Sequence, residues 1–241
     1  MSDKKVIGIL GGMGPAATAD LFTKIINNTE AGCDQDHLHV IIDSNTNIPD
    51  RTEALIHGGA DPTEPMTQSA RRLAEAGAEL IVMPCNTAHY FYDELEQAVE
   101  IPVVNIVEET IRYAKARVQD LSCVGIMATT GTIVTGTYQK YAERAGLSFA
   151  VPDEDEQDLL MQIIYDGVKA GKPVPRADFD RVANHLRAKG AQCLILGCTE
   201  LSVLKRDLPI NDPDVLDSID VLASETVRRS GKPFTDECLL C

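Results

Sequence analysis

The sequence predicts an α/β fold: two pseudo-symmetric three-layer α/β/α domains whose parallel sheets are related by internal duplication. Short apolar runs at 6–10, 80–82 and 193–195 are continuous, the pattern of strands covered on both faces. They alternate with longer amphipathic stretches, which implies parallel strands joined by crossover helices. The pattern then restarts near Leu121. Gly125 aligns with Gly8, and Gly8 precedes Cys85 by 77 residues while Gly125 precedes Cys198 by 73.

The first strand, 6–10, turns through Gly11-Gly12-Met13-Gly14 into a helix starting near Ala16, with Pro15 suited to the first helical position. Residues 40–43 form a second strand, followed by a polar loop over 44–52 too rich in turn formers to hold an element. A helix opens at Asp61-Pro62-Thr63 and keeps Met66, Ala70, Leu73 and Ala74 on one face until Gly77. A strand at 79–83, a helix over 87–99, a short strand at 102–104 and a helix over 106–118 complete the first half. The second half reads as a strand and turn over 123–132, a helix at 134–145 and a strand at 147–151. Asp153-Glu154-Asp155-Glu156 then opens a helix, where negative charge is favourable, and 159–170 continues it. A helix at 175–189, the run 193–195, a loop over 207–214 and a helix at 218–229 end the chain.

Composition limits the function. The chain has 241 residues, 44% of them apolar, enough for ordinary cores. A net charge of −15 argues against nucleic acid as a partner, since a phosphate backbone needs a basic surface. It also requires that an anionic ligand be met by local cations. No run approaches the roughly 20 apolar residues of a membrane helix, and no signal segment opens the chain, so a cytoplasmic protein with reduced cysteines is expected. Of seven cysteines, Cys33, Cys123, Cys193 and Cys238 have no motif around them, and Cys238-Leu239-Leu240-Cys241 reads as a tail. The histidines show no ligand spacing beyond His37-x-His39, so no metal is implied.

Two cysteines differ from the others. Cys85 follows Leu80-Ile81-Val82 and Cys198 follows Cys193-Leu194-Ile195, and each precedes an expected helix. That puts both at strand-to-helix turns, where ligands bind in α/β sheets and where a thiol is biased toward thiolate. If the halves face each other across a cleft, one thiolate can remove a proton from carbon while the other thiol delivers one to the opposite face. His89, four residues after Cys85, either exchanges a proton with it or fills a helix face.

Four motifs, Leu10-Gly11-Gly12-Met13-Gly14-Pro15-Ala16-Ala17-Thr18, Pro49-Asp50-Arg51-Thr52, Pro84-Cys85-Asn86-Thr87-Ala88-His89 and Leu196-Gly197-Cys198-Thr199-Glu200-Leu201, together resemble the aspartate/glutamate racemase family over essentially the whole chain. The resemblance implies a cofactor-independent amino-acid racemase with its site between two domains and with Cys85 and Cys198 as the acid/base pair. The opening motif, and Glu200 after Cys198-Thr199, look more like the aspartate racemase branch. The division expected is 1–107 with 216–241, the C-terminal helix completing the first domain, and 108–215 for the second. Dimers are common among similar proteins, so a homodimer is an expectation of the same kind.

An acidic amino acid carries two carboxylates. Arg51 offers a bidentate fork for one. Lys169 is the candidate for the other, a role that a lysine in this helix has in similar racemases. Asn86, Thr87 and Thr199 adjoin the thiols, where they either cap helices or bind the α-carboxylate and a developing carbanion. Met13, Gly14, Asn45, Thr129 and Thr132 are expected as pocket walls.

A dinucleotide-binding oxidoreductase is the competing class, because Gly12-Met13-Gly14-Pro15-Ala16-Ala17 fits G-x-G-x-x-A. Asp43, however, lies 29 residues past Gly14 rather than about 20, and both cysteine turns stay unexplained. Nearer rivals are reactions of the same superfamily, namely decarboxylation, dicarboxylate isomerisation and hydantoin racemisation. Reactions that work with a single cysteine should lose one of the two turns.

Overall fold

In the computed structural model, which describes residues 4–232, the first half runs β1 (Ile7–Gly11), α1 (Pro15–Asn28), β2 (Val40–Ser44), α2 (Arg51–Ile56), α3 (Thr63–Glu75), β3 (Leu80–Val82), α4 (Tyr92–Gln97), β4 (Val103–Val104) and α5 (Ile106–Arg117). The second half runs β5 (Cys123–Met127), α6 (Thr130–Val134), α7 (Thr137–Arg144), β6 (Ser148–Ala150), α8 (Glu154–Gln162), α9 (Arg176–Ala188), β7 (Cys193–Leu196), α10 (Thr199–Asp207), β8 (Val215–Asp217) and α11 (Ser218–Arg229). Cys238 and Cys241 lie outside the described residues.

Each half contributes a four-stranded parallel sheet, ordered β2-β1-β3-β4 and β6-β5-β7-β8. Gly8 pairs with Ile81 and Gly125 with Leu194, so the sheets correspond strand by strand. The duplication extends to the helix entering the third strand. Leu73 and Leu186 each accept the N–H of the alanine five residues on, Ala78 and Ala191, at 3.0 and 3.2 Å. Between them Gly77 and Gly190 turn the chain at φ of 98° and 93°, a conformation that glycine adopts without cost.

Side chains alternate between two cores, which explains why the strands read as continuous apolar runs. Ile7, Ile9, Leu80 and Val82 of the first sheet, and Val124, Ile126 and Ile195 of the second, join one central cluster through α1, α5, α7 and α11. The opposite faces form separate cores. Leu10, Ile81 and Met83 pack with residues of α3 and α4, and Met127, Leu194 and Leu196 with residues of α8, α9 and α10. Cys193 belongs to the central cluster. Among the described residues no helix is long and apolar enough to cross a membrane.

Several boundaries differ from expectation. The loop over 44–52 gives way to α2 at Arg51, because Asp50 Oδ1 accepts the N–H groups of Thr52 and Glu53 at 2.8 and 3.1 Å and caps the helix. The helix expected over 87–99 begins as a 3₁₀ turn, Thr87–Phe91, and that over 134–145 is split by Gly136 at φ 67°. The helix through 159–170 widens to π-helix over Ile163–Lys169. Strand β8, whose two apolar residues run straight into the helix cap at Asp217, was not expected; it pairs with β7 from Val215 to Asp217. Position 216 therefore falls inside a strand of the second sheet, and position 107 inside α5.

The two equivalent glycines make the packing testable. A Cβ on Gly8 would sit 2.9 Å from the Ala78 Cβ, and one on Gly125 2.9 Å from the Ala191 Cβ. Gly8→Ala and Gly125→Ala should each cost about 1–3 kcal/mol by overpacking. Urea unfolding should show a lower midpoint at unchanged slope.

Candidate active site between the two sheets

The carboxyl ends of β1, β3, β5 and β7 supply turns to one narrow cleft, and Cys85 and Cys198 both line it. Both cysteines are 5% exposed.

Cys85 is held by its backbone. His89 Nδ1 lies 2.8 Å from the Cys85 carbonyl, and His89 Nε2 accepts the Ile106 N–H at 3.2 Å. The second bond makes Nε2 the acceptor, so Nδ1 carries the proton and donates to Cys85. Burial pushes the His89 pKa down to about 4, keeping the ring neutral. His89 thus fixes the turn through its carbonyl instead of exchanging protons with the thiol.

Arg51 lies beside Cys85. Its Nη1 donates to the Ile48 and Pro49 carbonyls at 3.3 and 2.7 Å, and its Nη2 to the Met13 carbonyl at 3.3 Å. Burial opposes the charge, but Cys85 and Asp50 raise the guanidinium pKa. Its Nε–H is buried without a partner. Three of its five N–H donors serve backbone carbonyls and the guanidinium also hydrogen-bonds Cys85, which leaves the Nε–H unpartnered.

Cys198 has a different neighbour. It sits at the N-terminus of α10, and its Sγ donates to Glu200 Oε2 at 3.0 Å. Burial, then the Glu200 charge and this hydrogen bond, push its pKa well above the ordinary value, outweighing Lys169 and the Glu200 N–H. Cys198 therefore rests as a thiol.

Lys169 and Asp50 meet across the cleft at 3.5 Å, and Lys169 Nζ lies 4.0 Å from Glu200 Oε1 and 4.0 Å from the Tyr165 ring centre. The Tyr165 hydroxyl donates to Asp50 at 3.3 Å. Among the described residues no group of three His, Cys, Asp or Glu side chains could hold a metal.

The sequence profile described as Asp/Glu/Hydantoin racemase matches residues 10–226. The chain belongs to that family. Aspartate racemase from Picrophilus torridus superposes with a TM-score of 0.81 at 27% identity, covering 98% of each chain. The broad specificity amino-acid racemase RacX of Bacillus subtilis is 27% identical over 230 residues, 92% of this chain and 96% of its own. The glutamate racemase of Aquifex aeolicus is 29% identical over 172 residues, 69% and 63% of the two chains.

In this racemase-family chain, Met13, Arg51, Asn86, Thr87, Thr129, Lys169, Thr199 and Glu200 line the cleft with the two cysteines. Gly14 faces an adjoining recess that also touches Arg51 and Lys169. Asn45 and Thr132 are not among the residues that line this cleft. Asn45 Nδ2 donates to Ser69 Oγ at 3.1 Å, and the fully buried Thr132 hydroxyl joins Thr87 and Thr129 at 2.9 and 3.1 Å. The Asn86 side chain is also committed elsewhere, to Ser218 and Tyr138.

Asp50, Thr52 and Tyr165 line the cleft without having been expected there. Asp50 and Thr52 were legible within the Pro49-Asp50-Arg51-Thr52 motif. Tyr165 had only its spacing from Lys169 as a signal.

Keeping His89 neutral has a pH signature. With a folded pKa of about 4 against about 6.5 unfolded, its contribution is complete above about pH 6.5 and is lost as pH falls toward 4. The unfolding free energy from urea titration should therefore fall with acidification by about 3 kcal/mol more in the wild type than in His89→Gln. Parallel curves for the two proteins would count against it.

Proposed function

We propose that the protein racemises an acidic amino acid, aspartate and/or glutamate, without a cofactor, with Cys85 and Cys198 acting on opposite faces of the α-carbon. One observation carries this reading: two thiols from corresponding turns of two duplicated halves line one small cleft, with Arg51 and Lys169 beside them. The family match and the named activities of the relatives support it.

A two-base inversion needs one ionised and one protonated partner at once. Cys198 is suited to begin as the acid, since burial and Glu200 hold its proton. Cys85 then begins as the base: its thiolate takes the α-proton, and Cys198 delivers its own to the other face. In the reverse direction Cys85 must first take a proton from solvent and Cys198 give up its own, and Glu200, 3.0 Å away, is placed to accept the latter. The guanidinium of Arg51, with its unpartnered Nε–H, suits one carboxylate of the substrate, and Lys169 the other. The Thr87 and Thr199 N–H groups are available to the charge that develops next to the α-carbon.

The test is proton NMR in deuterated water with L-aspartate and L-glutamate separately, followed by chiral chromatography. Loss of the α-proton signal with appearance of the D form is expected for at least one of them. Cys85→Ala and Cys198→Ala should each abolish racemisation; full activity in either would exclude the two-base route. Glu200→Gln removes the charge that raises Cys198. The direction using Cys198 as acid should then lose rate at lower pH than in the wild type, and unchanged pH–rate profiles would remove Glu200 from the scheme.

A further inference from the structure

The two cysteine turns are joined behind the cleft by contacts that reach no reacting atom. Tyr138, on α7 and 0% exposed, touches both. Its hydroxyl donates to Asn86 Oδ1 at 2.7 Å, next to Cys85. Its ring lies against Gly197, next to Cys198, where a Cβ would come within 2.9 Å of Cε2. A second connection runs beside it. Asn86 Nδ2 donates to Ser218 Oγ at 3.1 Å, and Ser218 Oγ donates to the Leu196 carbonyl at 2.8 Å.

Asn86, Ser218 and Leu196 are at most 1% exposed, so water cannot replace a lost partner and each missing bond leaves a buried polar group unsatisfied. Burial also raises the Tyr138 pKa, which keeps its hydroxyl a donor. The chemistry makes such connections useful. A proton is exchanged with carbon only when donor and carbon are held about 3–3.5 Å apart, and two donors on opposite faces must satisfy this for one bound molecule.

We propose that Tyr138 and Ser218 are positioning residues that fix the separation of the two thiols, acting through Asn86 on one side and through Gly197 and Leu196 on the other. The inference rests on the two-base reading above. A spacer that is too loose leaves each thiol competent alone and impairs only the transfer from one face to the other.

The test uses full-length Tyr138→Phe and Ser218→Ala, with folding checked by circular dichroism and melting. The substrate is the amino acid that the wild type racemises, in deuterated water. In each variant kcat should fall about tenfold or more in both directions while KM stays within about twofold. Recovered starting enantiomer should carry more solvent deuterium relative to inverted product. The C–H bond breaks to the near thiolate, the waiting thiol exchanges its proton for solvent deuterium, and that deuteron returns to the same face as a C–D bond.

The two variants break different contacts, so if one fails to fold the other still decides. Wild-type deuterium partition in the folded variants, or an equal loss of exchange and inversion, would overturn the spacing role. A wild-type protein that racemises neither substrate would overturn the two-base reading, and this inference with it.

Discussion

The geometry of the cleft depends on the burial of one apolar layer shared by both halves. Ile7, Ile9, Val124 and Ile126 project from different sheets into the same cluster, bridged by α1, α5, α7 and α11. At roughly 25 cal/mol per Å² of apolar surface, separating the halves would expose several side chains worth about 1.5–3 kcal/mol each. The carboxyl ends of both sheets are therefore held toward one space, and the polar contacts across it refine a geometry already fixed by packing.

Electrostatics then has to work against the protein's overall charge of −15. The cleft does so by placing two cations among carboxylates. Arg51 is threaded through the carbonyls of Met13, Ile48 and Pro49, so its orientation is set before any ligand arrives. Lys169 is shared between Asp50 and Glu200, and a substrate carboxylate would compete with both. The two cations therefore differ in how much rearrangement a ligand demands, although a count of charges makes them equal.

The layers, the duplication and the cysteine turns were legible because each leaves a local mark: continuous apolar runs, glycines at matching positions, and residues just past strand ends. The repeated Leu73/Gly77/Ala78 and Leu186/Gly190/Ala191 pattern was legible too, although the spacing of Gly8 and Gly125 alone had carried the expectation. Strand β8 was not, since its two apolar residues, Val215 and Leu216, run straight into the Asp217 cap of α11 and only pairing with β7 defines them as a strand. Asn45 and Thr132 lie near the cleft in sequence, but side-chain hydrogen bonds turn them to Ser69 and to Thr87 and Thr129. The position of an element can be read from a pattern, whereas the direction of a polar side chain depends on partners distant in sequence. Tyr138 shows the same limit: its hydroxyl meets Asn86 from 52 residues away.

The unlike surroundings of the two thiols, a guanidinium beside Cys85 and a carboxylate on Cys198, have a thermodynamic consequence. Mirror-image amino acids have equal free energies in water, so a racemase must have the same kcat/KM in both directions, however asymmetric its site. The asymmetry can therefore appear only as compensating differences. On the proposed two-base route, KM and kcat for the two enantiomers would differ by the same factor. Duplication supplies two chemically similar arms, and on that route the charges placed around them would decide how the catalytic cycle divides its time between the two hands.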